Sequence, residues 1–458
     1  MNKRFVLYGA LLLGLALSIN GAASAARTTE LKMVSAPSVA LYGEPFSWKV
    51  TGLRPGERVT VKASSQDARR VLWESEAVFE ADASGAVDLG RRAPVSGSYA
   101  EADIFGLLWS MKPANSDPKK PVAYRHDGVN GWTVDLTAVN SDGAAATTRF
   151  RCVFQRPGES LVRVPLEQNG LRGFLYYPAA GGPFPGIIIL GGSEGRLFEG
   201  WAQAMAANGF AALSLAWFAY PGLPEELVEI PLEYFDRAAA WMKTQVKVKA
   251  GGLGLMGGSK GGEAALLAAS RNNDFRAVVA MTPAAHAWEG HTLRFFSPDY
   301  KPVSSWSLGG QPLPYVPFKV TPEEKELERK GELASFVKFF RDGLAQADPQ
   351  TVEKAAIPVE KISGPILLIS ATDDQIWPAE DFCAAIEARL KEARFPHEVK
   401  HISLENGGHS SCLPFLVTAN RGLLIDGDPS GGSPQADARG GYRSWAETLA
   451  FFHRHLGR

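Results

Sequence analysis

The sequence predicts two domains of different class: an all-β sandwich, then an α/β domain on a mostly parallel sheet. Three observations predict this. At 458 residues the chain exceeds one ordinary domain. From about Arg27 to Phe154 it is made of short alternating runs punctuated by turn residues. Beyond Arg156-Pro157-Gly158, continuous aliphatic runs alternate with helical spacing, as strands buried between helices require. The boundaries that follow are a leader at 1–25, a sandwich at 27–156, and an α/β domain at 160–458 with an insertion at about 286–362.

The leader comes first. Lys3 and Arg4 precede an apolar run from Phe5 to Ile19, and Ala23-Ser24-Ala25 offers a small-residue cleavage site. That order predicts a secretory signal peptide, a mature chain starting near Ala26, and a secreted or periplasmic location. The apolar run is short for an uncleaved anchor, and no later run suits a membrane span. Loss of Lys3 and Arg4 moves the formal charge from -1 to -3, which leaves no basic footprint for nucleic acid. Hydrophobic content of 45% excludes global disorder.

In the first domain, Phe46-Ser47-Trp48-Lys49-Val50, Val59-Thr60-Val61-Lys62-Ala63 and Trp132-Thr133-Val134-Asp135-Leu136 alternate as half-buried strands do. Ala77 to Ala81 and Ala86 to Leu89 continue the theme around Gly85. No convincing helix interrupts them, which predicts an immunoglobulin-like sandwich without a catalytic cluster.

In the second domain, Leu161 to Val164 and Gly173 to Tyr177 form a strand pair. Buried strands follow at Gly186 to Leu190, Phe210 to Ala216, Gly252 to Met256, Ala277 to Met281, Pro365 to Ser370 and Val399 to Ser403. Helical spacing separates them around Trp201, Met205 and Ala206, from Leu232 to Val246, and from Ala264 to Ser270. The insertion between His286 and Ile362 carries Trp288, Phe295, Phe296 and Trp306, and one charged helical piece from Pro322 to Gln346. It reads equally as a substrate lid or as decoration. The last helix puts Trp445, Leu449, Phe452 and Leu456 on one stripe for packing, with His453 and His455 off it and solvated.

Chemistry concentrates in a few loops. Gly257-Gly258-Ser259-Lys260-Gly261 fits the G-x-S-x-G elbow, which puts a serine on a sharp strand-to-helix turn. Gly191-Gly192-Ser193-Glu194-Gly195 fits it too. Chain order separates them. In an α/β-hydrolase the oxyanion loop precedes the nucleophile, and the acid and then the base come last. Ser259 as nucleophile leaves the Ser193 loop for the oxyanion, whereas Ser193 as nucleophile leaves no upstream parallel strand to supply one. The oxyanion would then rest on the backbone N–H groups of Lys260 and Ser193. The acid is Asp373 or Asp374, and Asp-x-x-x-Pro spacing to Pro378 prefers Asp374. Helix capping is the plainer role for either. His409, in the loop Glu405-Asn406-Gly407-Gly408-His409, arrives third in order and is the candidate base. His401 is its alternative, inside the preceding strand. Cys152, Cys383 and Cys412 lack metal spacing and read as buried thiols, although Cys383 and Cys412 could pair. No metal or other cofactor is expected.

With these motifs in order, the chain resembles the acyl-CoA thioesterase and bile acid-CoA:amino acid N-acyltransferase (BAAT) family over nearly its whole mature length. Val50-Thr51-Gly52-Leu53, Gly97-Ser98-Tyr99 and Gly106-Leu107-Leu108-Trp109 carry it in the first domain. Pro183-Phe184-Pro185-Gly186, Gly209-Phe210-Ala211, Leu232-Glu233-Tyr234-Phe235, Gly258-Ser259-Lys260-Gly261-Gly262-Glu263, Asp373-Asp374 with Trp377, Gly408-His409 and Phe451 to Gly457 carry it in the second. The resemblance implies a Ser259–Asp374–His409 triad that attacks a fatty or bile acyl thioester and passes the acyl group to water or an amino acid. Serine, where the transferases have cysteine, implies hydrolysis. The expected partner is a small-molecule acyl thioester. Export makes a carboxylic ester an alternative substrate; acyl transfer to an amine is a second expectation, and a non-catalytic binding protein is a third, disfavoured by the intact elbow, acid and base.

Overall fold

The computed structural model describes residues 30–115, 122–127, 130–292, 295, 300–413, 417–419 and 429–457. The expected leader and Phe296 of the insertion lie outside them.

The N-terminal part is β-rich. Strands Lys32–Ala36, Ser47–Thr51 and Val87–Asp88 form one sheet. The larger sheet runs in the order Val39–Leu41, Ala145–Val153, Trp132–Asn140, Arg58–Gln66, Leu72–Glu80 and Ser96–Gly97, with Lys112–Pro113 also pairing Leu72–Glu80. Alternation explains the inner faces: Val59, Val61 and Ala63 point inward from Arg58–Gln66, and they pack with buried Trp48, Trp73 and Phe150. One short helical turn, Gly106–Trp109, departs from the expected helix-free domain. Ala145–Val153 was not legible as a strand because Ala145 to Thr148 are small or polar and only Phe150, Cys152 and Val153 are buried.

The C-terminal part is built on an eight-stranded sheet, with a small three-stranded sheet of Ile230–Pro231, Trp306–Leu308 and Gln311–Pro312 beside it. The strands of the large sheet are β1(Leu161–Leu166), β2(Arg172–Pro178), β3(Gly186–Leu190), β4(Ala211–Ala216), β5(Leu253–Gly258), β6(Phe275–Met281), β7(Ile366–Ala371) and β8(Val399–Leu404). They lie in the order β1-β2-β4-β3-β5-β6-β7-β8. β2 is antiparallel to both its neighbours, and every pairing from β4 to β8 is parallel. This is an α/β-hydrolase-like arrangement. The helices are α1(Glu199–Ala207), α2(Glu233–Thr244), α3(Lys260–Ala269), α4(Pro322–Lys330), α5(Val337–Gln346), α6(Pro349–Ala355), α7(Ala379–Glu392) and α8(Pro434–Leu456). Every residue of β3, β4, β5 and β7 is buried, the physical reason these strands carry no charged side chain and show no polar alternation. The strand order reverses beside β3, so a crevice opens at the carboxyl ends of β3 and β5.

Two details correct the sequence reading. The charged piece Pro322 to Gln346 is two helices, not one. Gly331 ends α4 in the left-handed region at φ 68°, and Thr321 with Glu324 forms a capping box at its start. His453 and His455 are only partly exposed: their rings pack 4.6 Å from Phe210 and 4.7 Å from Phe451.

The two parts share one apolar core. It runs from the N-terminal sheets through Ile187 and Met256 to Trp445 and Phe452 of α8. Tyr42 meets Trp445 at a ring separation of 5.5 Å, and Arg439 pairs with buried Asp103 at 3.0 Å. The insertion covers the other core. At its start His286 bridges Ala356, and its buried Nδ1 has no hydrogen-bond partner. Burial, and secondarily Arg389, push this imidazole down to about 4. As pH falls from about 6.5 through 4 the unfolded chain therefore takes up a proton that the native one refuses, and stability is lost across that window. His286→Leu is expected to remove roughly 2–3 kcal/mol of this acid destabilisation. Urea midpoints at pH 4.5 and 7 check it; an unchanged difference between them would refute it.

Candidate active site

β5 ends at Gly258 and α3 begins at Lys260, so Ser259 alone makes the turn. Its backbone is at φ 56°, ψ -125°, a conformation costly for a residue with a Cβ. Three hydrogen bonds hold it there: Ser259 N–H to the Met281 carbonyl at 2.9 Å, and the Gly262 and Glu263 N–H groups to the Ser259 carbonyl at 2.8 and 3.1 Å. The flanking glycines are sterically required. A Cβ on Gly257 would sit 2.1 Å from the Gly261 carbonyl oxygen, and one on Gly261 would sit 2.2 Å from that of Gly191. Ser193, the rival elbow, has no positive φ and lies exposed in the loop after β3.

The acid and base candidates meet. His409 Nδ1 lies 2.7 Å from Asp374 Oδ2, with both side chains buried. The other carboxylate oxygen, Oδ1, accepts from the Ile376 and Trp377 N–H groups at 2.9 and 3.2 Å. The carboxylate is thus fixed by its own loop before it meets the imidazole. Trp377 stacks edge-on against His409 at 5.8 Å and donates its indole N–H to the Thr282 carbonyl at 3.0 Å. Asp373 points elsewhere, accepting from Gly432 N–H at 2.8 Å and Gln375 Nε2 at 2.7 Å.

Ser259, His409 and Ser193 line one cavity of about 400 Å³. Its remaining wall is largely aromatic, with Phe198 and Trp201 from the α1 side and Phe318, Phe336, Phe339 and Phe340 from the insertion. Such a wall suits an apolar acyl chain beside a polar reacting centre. The insertion therefore builds the site rather than decorating the surface. Among the described residues no cluster of His, Cys, Asp and Glu could hold a metal ion, and no helix is long and apolar enough to cross a membrane. All three cysteines are buried, and among the described residues no disulfide joins them.

His401, the alternative base, does not line this cavity. Its Nε2 lies 2.7 Å from Ser370 Oγ and its Nδ1 lies 2.8 Å from Glu387 Oε2. That chain copies the atom pattern of a triad, yet Ser370 is fully buried mid-sheet and donates to Glu380, with no elbow and no room for substrate. Sequence reasoning missed two contributors. His291 of the insertion lines the same cavity as Ser259 and His409. Ser430-Gly431 braces both functional loops: Gly431 bridges Asp374, and the Ser430 carbonyl accepts His409 N–H at 2.7 Å. The available signal was the Ser430-Gly431-Gly432-Ser433 run before α8.

Residues 230–458 match the model of the BAAT / acyl-CoA thioester hydrolase C-terminal family, and residues 43–165 match that of the acyl-CoA thioester hydrolase/BAAT N-terminal region. The chain is 30% identical over 456 residues to mitochondrial acyl-coenzyme A thioesterase 2 of Mus musculus, covering 96% of this chain and 93% of that protein. It is 31% identical to acyl-coenzyme A thioesterase 1 of Homo sapiens, over 91% of this chain and 94% of the relative. It is also 31% identical to acyl-coenzyme A amino acid N-acyltransferase 1 of Mus musculus, over 93% and 98% of the two chains.

Proposed function

The chain belongs to the acyl-CoA thioester hydrolase/BAAT family, and from that premise we propose that it hydrolyses acyl thioesters through Ser259, His409 and Asp374. In this reading Ser259 Oγ attacks the acyl carbonyl carbon and passes its proton to His409 Nε2. Asp374 holds the Nδ1 proton and stabilises the imidazolium. The backbone N–H groups of Lys260, whose place at the start of α3 leaves it without an intrahelical acceptor, and of Ser193 bind the oxyanion. Collapse breaks the C–S bond, and His409 returns the proton to the leaving thiolate. Water then attacks the acyl-serine with His409 again as base, releasing the carboxylic acid.

The observation that carries the reading is the 2.7 Å Asp374–His409 couple, which opens onto the same aromatic cavity as the strained Ser259. The thioesterase names of its relatives support the thioester as substrate class. Serine at position 259 favours release to water. In the same proposal the N-terminal part is an immunoglobulin-like sandwich and the chain acts outside the cytoplasm, on the strength of residues 1–25.

A panel of acyl-CoAs and p-nitrophenyl esters, run with glycine and taurine present, tests the reading. The expected products are free acid and thiol, with a fluorophosphonate adduct on Ser259. N-acyl glycine or taurine as the main product would make the chain a transferase. Absence of both turnover and adduct would leave a binding protein.

A further inference from the structure

The proposed chemistry uses only the backbone of Lys260, yet its side chain is among the most buried charges in the molecule. Nζ lies 3.0 Å from Glu263 Oε2 one turn along α3, and these side chains are 1% and 0% exposed. Nζ also reaches Ser305 Oγ at 3.0 Å, and the Glu289 carbonyl at 3.5 Å. Ser305 in turn donates to that same carbonyl at 3.0 Å. The opposite oxygen of Glu263 accepts the Trp306 indole N–H at 2.6 Å and the Trp288 N–H at 3.1 Å. Every partner outside α3 belongs to the insertion.

A buried ion pair is weak evidence for stability, because desolvation offsets its attraction. Here burial pulls the Lys260 ammonium below the usual lysine range, against the opposing pull of Glu263 and Glu289. An apolar pair would fill the same volume at less electrostatic cost, so a role beyond packing is the better account. Geometry supplies one. Ser259 holds a strained backbone, which persists only where its surroundings over-determine it. The next residue is tied at its side chain to two segments of the insertion. The Glu289 segment adjoins Trp288, whose ring meets Phe340 of the cavity wall edge-on at 4.8 Å.

We propose that Lys260 and Glu263 are positioning residues: their pair locks the first turn of α3 and the insertion into one unit, so that a single anchor sets both the peptide N–H facing the oxyanion and the acyl-binding wall. The proposal rests on Ser259 as nucleophile. It links rate and chain-length preference, two properties that a merely structural ion pair would leave independent.

The test uses the full chain with Lys260→Met/Glu263→Gln, which removes both charges of the pair together rather than orphaning one of them. Active sites are counted by fluorophosphonate titration, and kcat and KM are measured on p-nitrophenyl butyrate and decanoate. Per titrated site, kcat is expected to fall about 100-fold on both esters, the scale of a misplaced oxyanion donor. The decanoate-to-butyrate preference in KM should flatten. Wild-type kcat per site would overturn the proposal. So would a loss of activity that merely tracks the fraction of folded sites. Trp306→Phe provides an independent arm, since it removes the indole donor to Glu263 and keeps an aromatic ring. It should raise KM for decanoate more than for butyrate, and this arm decides should the double variant not fold. An unchanged ratio there also overturns the proposal. If wild-type Ser259 takes no adduct at all, the nucleophile assignment fails instead.

Discussion

Ser259→Ala is expected to lower turnover by at least about 10³-fold while leaving the thermal midpoint nearly unchanged. The first half follows from chemistry, since without Oγ no acyl-enzyme forms and only the oxyanion donors and binding remain. The second follows from the structure. The Ser259 side chain makes no capping hydrogen bond to α3, and the half-buried hydroxyl leaves no charge behind when removed. Loss of stability should therefore stay within about 0.5 kcal/mol. Ser259→Gly extends the argument. At φ 56° and ψ -125° glycine relieves the Cβ penalty, so this variant should be inactive yet more stable by about 1 kcal/mol. Opposite movements of activity and stability at one residue are the mark of strain kept for function. Esterase assays with thermal melts check both variants, and undiminished hydrolysis by Ser259→Ala would end the nucleophile assignment.

The parts of this architecture legible in the sequence were those governed by local rules. Gly186–Leu190 is a strand over the same residues that its aliphatic run marks, because a two-sided burial leaves no polar position to blur it. The elbow was legible for a similar reason: Gly257 and Gly261 have no room for a Cβ, so composition records the contact. Local signals were also available where the reading erred. Thr321 with Glu324, and Gly331, mark both ends of α4, and weighing them would have split the charged stretch in two. What stayed hidden depends on distant partners. No pattern near His409 says that Ser430 will accept its N–H, or that Trp377 will stack on its ring. Nothing in the short segments around Trp288 and Trp306 says that both will bind one carboxylate of α3. Such contacts arise between loops whose own sequences are nearly free of preference.

Asp374→Asn is expected to cost about 10⁴-fold in kcat, and Asp373→Asn no more than a few-fold. The difference comes from how each carboxylate is held. In the native loop Asp374 Oδ1 receives two N–H groups, from Ile376 and Trp377, and Oδ2 faces His409 Nδ1. An asparagine must keep its one carbonyl oxygen toward those two donors, because turning the amide over would set N–H against N–H. Its NH₂ then faces Nδ1, which must become an acceptor. The imidazole proton moves to Nε2, and a protonated Nε2 cannot take the proton of Ser259. The side chain keeps its place, its loop keeps its hydrogen bonds, and the base is held in the wrong tautomer. Asp373 is exposed, and its Oδ2 accepts the Gly432 N–H while its Oδ1 accepts the Gln375 amide; an asparagine oxygen keeps the first bond, and Gln375 can turn its amide over to accept from the new NH₂. Measured kcat values for the two variants on one ester decide the matter. A larger loss at position 373 would transfer the orienting role to that residue, and equal losses would detach His409 from either carboxylate.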